Sequence, residues 1–208
     1  MKFTSVRKMA VELDLEGVAR RLGTLAWSTA ERRAYFEYAP EFLAAPLLVS
    51  PFHLIAEPGV RPAPRDPFDG LHGLFNDSLP DGWGRLLLDR RLRKAGIDHH
   101  MLTPLDRLSA VGQGGMGALA YRPELAEEGR GDGDLDWFVE QVEMIQGNMD
   151  TADIDALQGA QGGSAGARPK IMIGFDRGRD SFVIDYGQAL APGEERWIVK
   201  SRSAEDPA

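Results

Sequence analysis

Gly159-Ala160-Gln161-Gly162-Gly163-Ser164-Ala165-Gly166-Ala167-Arg168-Pro169-Lys170 is a glycine-rich stretch that runs straight into the apolar segment Ile171-Met172-Ile173-Gly174-Phe175. It reads as a loop feeding a strand. Glycine has no Cβ, so backbone amides in such a loop can come close to an anion. A turn over Asp176-Arg177-Gly178-Arg179-Asp180 and strands over 181–186 and 196–200 follow, with no helix after them. The last strand ends in Trp197-Ile198-Val199-Lys200. Lysine is rarely buried unless paired, so Lys200 after an apolar pair invites a phosphate or a carboxylate. Two plainer readings stand beside this one: a loop that only turns the chain, and a terminal lysine that snorkels to water.

Working back toward the N-terminus, residues 8–15 alternate apolar and charged, as a half-buried strand does. Glu16-Gly17 turns the chain into 18–27, making a hairpin, and 34–38 is a third strand closed by Ala39-Pro40. The passage holding Pro58, Pro62, Pro64 and Pro67 is expected to be loop, because proline cannot donate to a ladder. Helices take over from about residue 69. One starts at Pro80, carries Trp83, Leu86, Leu87, Leu88 and Leu92, and stops at Gly96; another runs from Thr103-Pro104 to Gly112. A short strand over 117–121, an amphipathic helix over 134–145 and a short helix over 151–157 complete the reading.

Composition narrows the function. The 208 residues carry 24 basic and 32 acidic side chains, a formal charge of −8, which disfavours non-specific binding to nucleic acid. There are no cysteines, so neither disulfides nor thiolate metal sites, which fits a cytoplasmic protein. No apolar run approaches the roughly 20 residues needed to cross a bilayer. Residues 124–155 hold eleven acids against Arg130, whereas 85–94 hold Arg85, Arg90, Arg91, Arg93 and Lys94 against Asp89. Both read first as solvated helix faces, with a docking surface as the alternative.

Several motifs fail on context. Gly112-Gln113-Gly114-Gly115-Met116-Gly117 matches the dinucleotide fingerprint in letters, but it follows a helix and opens a strand, the reverse of what a pyrophosphate site needs. No Lys-Ser or Lys-Thr completes a Walker loop. Asp185-Tyr186-Gly187 precedes Lys200 instead of following it by a long interval, so it reads as a strand end and not as a metal-binding triplet. His53, His72, His99 and His100 lack metal-ligand spacing, and no nucleophile–base pair stands out.

Five motifs in order carry a resemblance: Phe36-Glu37-Tyr38-Ala39-Pro40-Glu41-Phe42-Leu43; Phe75-Asn76-Asp77-Ser78-Leu79-Pro80-Asp81-Gly82-Trp83-Gly84; 105–112 with 115–119; 162–170; and Ile198-Val199-Lys200. The chain resembles the N-terminal part of a HipA-type toxin kinase of bacterial type II toxin–antitoxin systems. The resemblance implies an α+β chain: an N-terminal subdomain of mixed β-sheet with helices over 1–124, an acidic linker and helices over 125–158, and an incomplete kinase-like small lobe over 159–208. It implies a serine/threonine protein kinase that acts on a component of the translation machinery and is restrained by a HipB-like DNA-binding antitoxin. Ala165, Gly166, Ala167, Arg168, Pro169 and Lys170 would then contact ATP phosphates and Lys200 would pair with them, with magnesium as the accompanying ion. No catalytic residue is assigned, because the family's catalytic aspartate and metal ligands would lie beyond Ala208. Ser164 falls one residue from the family's regulatory serine. The alternative function is a standalone N-terminal-like module that binds or restrains a separate kinase lobe. An uncovered sheet face is also expected to expose Ile171, Ile173 and Val183.

Overall fold

The structure is a computed structural model that describes residues 4–80, 82–94, 96–123, 135–147, 153–160, 166–179, 181–185 and 190–201. It is α+β, and the described chain forms two compact units. The first comprises Met1–Leu79 and Asp98–Ala126, the second Pro80–Ile97 and Glu127–Ala208. This division does not follow the segments 1–124, 125–158 and 159–208. The helix Gly82–Lys94 packs within the second unit because its apolar stripe is buried there.

In the first unit, alternation sets up strands β1 (Lys8–Leu15), β2 (Val18–Ser28) and β3 (Arg33–Tyr38). The two-residue turn Glu16-Gly17 joins the first two, both residues having positive φ, as a tight hairpin of this length requires. A helical turn, α1 (Pro40–Leu43), follows, and Tyr38 donates its hydroxyl to the Leu54 carbonyl at 2.6 Å. The proline-rich passage contains a short strand, β4 (Val60–Pro62), where only loop is expected. Pro62 is accommodated because β4 lies at the sheet edge, where a missing donor breaks no inner ladder. After α2 (Gly73–Asn76) come α4 (Pro104–Val111) and β5 (Leu119–Arg122), with α3 (Gly82–Lys94) between them in the chain. The sheet order is β4-β3-β2-β1-β5, and the sheet expected to be mixed is antiparallel at every described pairing.

The core of this unit lies on one face of that sheet. Met9, Val11, Leu22, Leu25, Phe36, Phe42, Phe75, Leu105 and Tyr121 are among the residues buried there. Each fully buried large apolar side chain contributes about 1.5–3 kcal/mol. The start of α4 follows its sequence signals: the Thr103 hydroxyl accepts from Asp106 N, the Asp106 carboxylate accepts from Thr103 N, and Pro104 opens the helix. Asp106 also accepts from Val6 N (2.6 Å) and Ser5 Oγ (2.9 Å), so one buried carboxylate ties the N-terminal segment to α4.

In the second unit, α3 joins α5 (Leu135–Gln146), α6 (Ile154–Ala160) and a sheet of β6 (Lys170–Asp176), β7 (Ser181–Ile184) and β8 (Glu194–Lys200) in the order β7-β6-β8. The basic residues in the last turn of α3 complement the negative end of the helix dipole. Arg90 donates to the Ile145 carbonyl, and Arg91 pairs with Asp155 at 3.0 Å. Helix α6 is displaced from the expected 151–157: the Asp153 carboxylate accepts from Ala156 N and caps it, so Gly159 and Ala160 are helical and not part of the loop.

Candidate functional site

The strand register of the second sheet sorts its residues onto two faces. Ile171, Ile173 and Phe175 share one face with Val199, Trp197, Ile184 and Phe182. That face packs on the helices: Ile171, Ile173 and Ile184 are buried with Trp83, Leu87, Phe138, Val142 and Leu157. The expectation that Ile171 and Ile173 would be exposed is therefore corrected. The helices that cover them, α3 among them, belong to this same unit. Val183 is exposed as expected, at 52%, and lies on the other face.

The other face carries the candidate site: it is exposed along β8 and at Val183, while Lys170, Met172 and Gly174 of the central strand are buried. Lys170 and Lys200 are direct partners across the β6–β8 ladder. Directly opposed residues of an antiparallel pair project on the same face with Cβ atoms roughly 5 Å apart. Two like charges so placed oppose each other unless something compensates them. The two lysines differ in surroundings. Lys170 is 1% exposed and its ammonium donates to the Gly166 carbonyl at 2.5 Å, while Lys200 is exposed. Burial thus falls on the lysine that opens β6 and not on the one after Ile198-Val199, because β8 is an edge strand open on both sides along most of its length.

The described end of the glycine-rich loop, Gly166 to Pro169, enters the sheet beside this pair. Gly166 has φ +119°, and Ala167 lies so close to Gly82 that a Cβ there would stand 2.7 Å from the Ala167 Cα. Pro169 offers its carbonyl to Ser201 N at 2.9 Å. Arg168 is exposed. Ala165 and Ser164 lie outside the described residues, as do Tyr186 and Gly187 of the rejected triplet. Further along the open face, Ile198 stands opposite Met172 and Val183 opposite Gly174. Asp185 is buried, and its carboxylate takes the Arg196 guanidinium at 2.6 Å. The open face therefore offers, from the loop end inward, a cation pair, an apolar patch and a satisfied ion pair.

The family model for the HipA N-terminal domain matches residues 16–122, about half of the 208. The chain belongs to this family. No curated protein matches it. Within the HipA-type match, Gly112 to Gly117 forms a turn between α4 and β5, with the Gly112 carbonyl accepting from Tyr121 N, so the dinucleotide motif is set aside on structural grounds too. Among the described residues no three His, Asp or Glu side chains gather as metal ligands, and the acid of the open face nearest the lysines, Asp185, is committed to Arg196. The described residues therefore gather no donor set for magnesium. No helix of the described residues is long and apolar enough to cross a membrane.

Sequence reasoning missed two features of this site. One is the contact of Gly82 with the loop, whose only sequence signal is the Gly82-Trp83-Gly84 spacing. The other is the Asp185–Arg196 pair, for which an acid at the end of one strand and a base on another give no local cue.

Proposed function

We propose that this chain is the N-terminal region of a HipA-like serine/threonine protein kinase toxin of a type II toxin–antitoxin system. Its share of the work is to hold the triphosphate of ATP. The observation that carries the reading is the Lys170–Lys200 partnership across the ladder at the mouth of the glycine-rich loop. Of the segment Ala165 to Lys170 that the family resemblance assigns to the phosphates, the amides of Gly166, Ala167 and Arg168 would face phosphate oxygens, and Lys200 would supply the exposed cation. Positioning and charge stabilisation make up most of what a protein contributes to phosphoryl transfer, and this site supplies the first. The base would rest on the apolar patch of Ile198 and Val183. In this reading the protein substrate is a component of the translation machinery, a HipB-like DNA-binding antitoxin restrains the kinase, and both meet in the cytoplasm. No group described here is assigned to the transfer itself.

Isothermal titration of ATP into the intact chain, into Lys200→Ala and into Gly166→Asp tests the reading. Saturable binding that both substitutions weaken by about tenfold or more, roughly 1.4 kcal/mol, is expected. Equal binding by all three proteins overturns it.

A second reading has one observation in its favour: the family match ends at residue 122, ahead of the three-stranded sheet. In that reading the chain is a standalone module that binds and restrains a separate kinase lobe. Co-expression with a neighbouring kinase gene separates the two, since only the module reading requires the chains to copurify.

A further inference from the structure

We propose that Lys170 and Gly82 are positioning residues of the glycine-rich loop: together they set the course of residues 166–169 before any ligand arrives, leaving Lys200 as the lysine that meets phosphate. The last clause rests on the nucleotide reading above; the positioning claim does not.

The loop end is held at three points. At residue 166 the acceptor is a backbone carbonyl and the donor a lysine ammonium with almost no solvent access. A buried ammonium is costly unless it is compensated, and a charge-assisted hydrogen bond is the stronger kind. The geometry needs glycine at 166, because φ +119° is strained for any other residue and a Cβ would stand 3.2 Å from the Lys170 Nζ. At residue 167 the loop backbone lies directly on the start of α3, with only the missing side chain of Gly82 making room. At residue 169 the carbonyl accepts from Ser201 N, one residue beyond Lys200. The same strand end thus supports the loop by its backbone and carries the exposed lysine. The two lysines divide the labour: Lys170 points its charge into the protein's own loop, and Lys200 keeps its charge in solvent. A ligand that meets a loop already in place loses less ordering entropy on binding.

Hydrogen exchange of the full chain without nucleotide, read by mass spectrometry over residues 166–171, tests this, with ATP titration in parallel. Lys170→Met keeps the length and removes the donor, and should speed exchange of that segment by about tenfold or more, as loss of a hydrogen bond to a charged group implies. Gly82→Ala should move it in the same direction, while peptides covering Met9 to Leu13 stay unchanged. The double variant Gly166→Ala with Lys170→Met should exchange less than additively, since the alanine shifts the same carbonyl that the lysine holds. Lys200→Ala should leave exchange alone and weaken ATP binding. If Lys170→Met loosens β6 as a whole, Gly166→Ala, which leaves the lysine in place, carries the test. Unchanged exchange in Lys170→Met, or fully additive effects in the double variant, overturns the positioning role. Faster exchange in a protein whose parent binds no ATP upholds it and removes the phosphate reading alone.

Discussion

The exposed face of the five-stranded sheet carries Glu12, Thr24, Tyr35 and Glu37, and most of its polar groups are partnered within the sheet or beside it. Glu12 pairs with Arg122 at 3.0 Å, Thr24 accepts from Arg21, and the Tyr35 hydroxyl donates to Glu31 at 2.6 Å. The exposed face of the three-stranded sheet carries Val183 and Ile198, with Lys200 at its end and a buried lysine opposite. Both sheets bury one face in a hydrophobic cluster. They differ in what the second face is made of. A mainly polar face, with Glu12 paired and Glu37 open to water beside Val60, asks for little but water. An apolar patch beside a cation, next to a loop of small residues, has the make-up of a ligand surface. On the proposed reading the family-matched segment is mostly scaffold, and the nucleotide-binding chemistry belongs to the smaller sheet.

The sharpest way to break that contrast is to truncate one residue on each side of it. Phe36 is fully buried, with its ring 4.8 Å from Tyr38 and 4.9 Å from Phe75. Phe36→Ala should lower the unfolding free energy by about 3–5 kcal/mol in urea denaturation. Ile198→Ser on the open face should cost no more than about 1 kcal/mol. Comparable losses would mean that the open face is part of the core.

Next in size, Asp106→Ala leaves Val6 N and Thr103 N without their acceptor and should cost about 1–3 kcal/mol, with proteolysis near the N-terminus quickened. For Lys200→Ala the contrast predicts a split: unfolding within about 0.5 kcal/mol of the parent, yet ATP affinity down by about tenfold. A stability loss as large as the affinity loss would make Lys200 a scaffold residue.

The smallest effect concerns pH. Burial pushes the His72 imidazole below its ordinary value of 6.5, with its hydrogen bond to the Arg61 carbonyl acting the other way. The unfolded chain therefore binds that proton more readily than the folded one. The contribution is present above pH 6.5 and is lost as pH falls through 6.5 toward the lower folded value. His72→Phe should flatten the stability profile over that window.

Much of the fold was legible because its signals are local. The alternation of 8–15, the Glu16-Gly17 turn and the Thr103-Pro104 start with its Gly112 stop each depend on residues within a few positions of one another. What was not legible depends on packing between distant segments. Nothing near α3 says which core its stripe of Trp83, Leu87 and Leu88 joins. Nothing in Ile198-Val199-Lys200 says that β8 is an edge, so Lys200 read as buried and Lys170 as one more loop cation. The start of the loop slipped by two residues because the Asp153 cap shifts α6 toward the C-terminus. Pro62 read as loop because its tolerance depends on lying at an edge. For the candidate site, the burial that separates Lys170 from Lys200 was not readable in the sequence.

On the proposed reading a nucleotide lies against the loop end, Val183, Ile198 and Lys200. Amide chemical-shift mapping of the isotope-labelled chain during ATP titration tests that directly. It should move the resonances of Gly166, Ala167, Lys170, Val183, Ile198 and Lys200 while those of Ile171, Ile173 and the first unit's strands move far less. Shifts concentrated on the five-stranded sheet or on the helix-covered face, or none at saturating ATP, would contradict it.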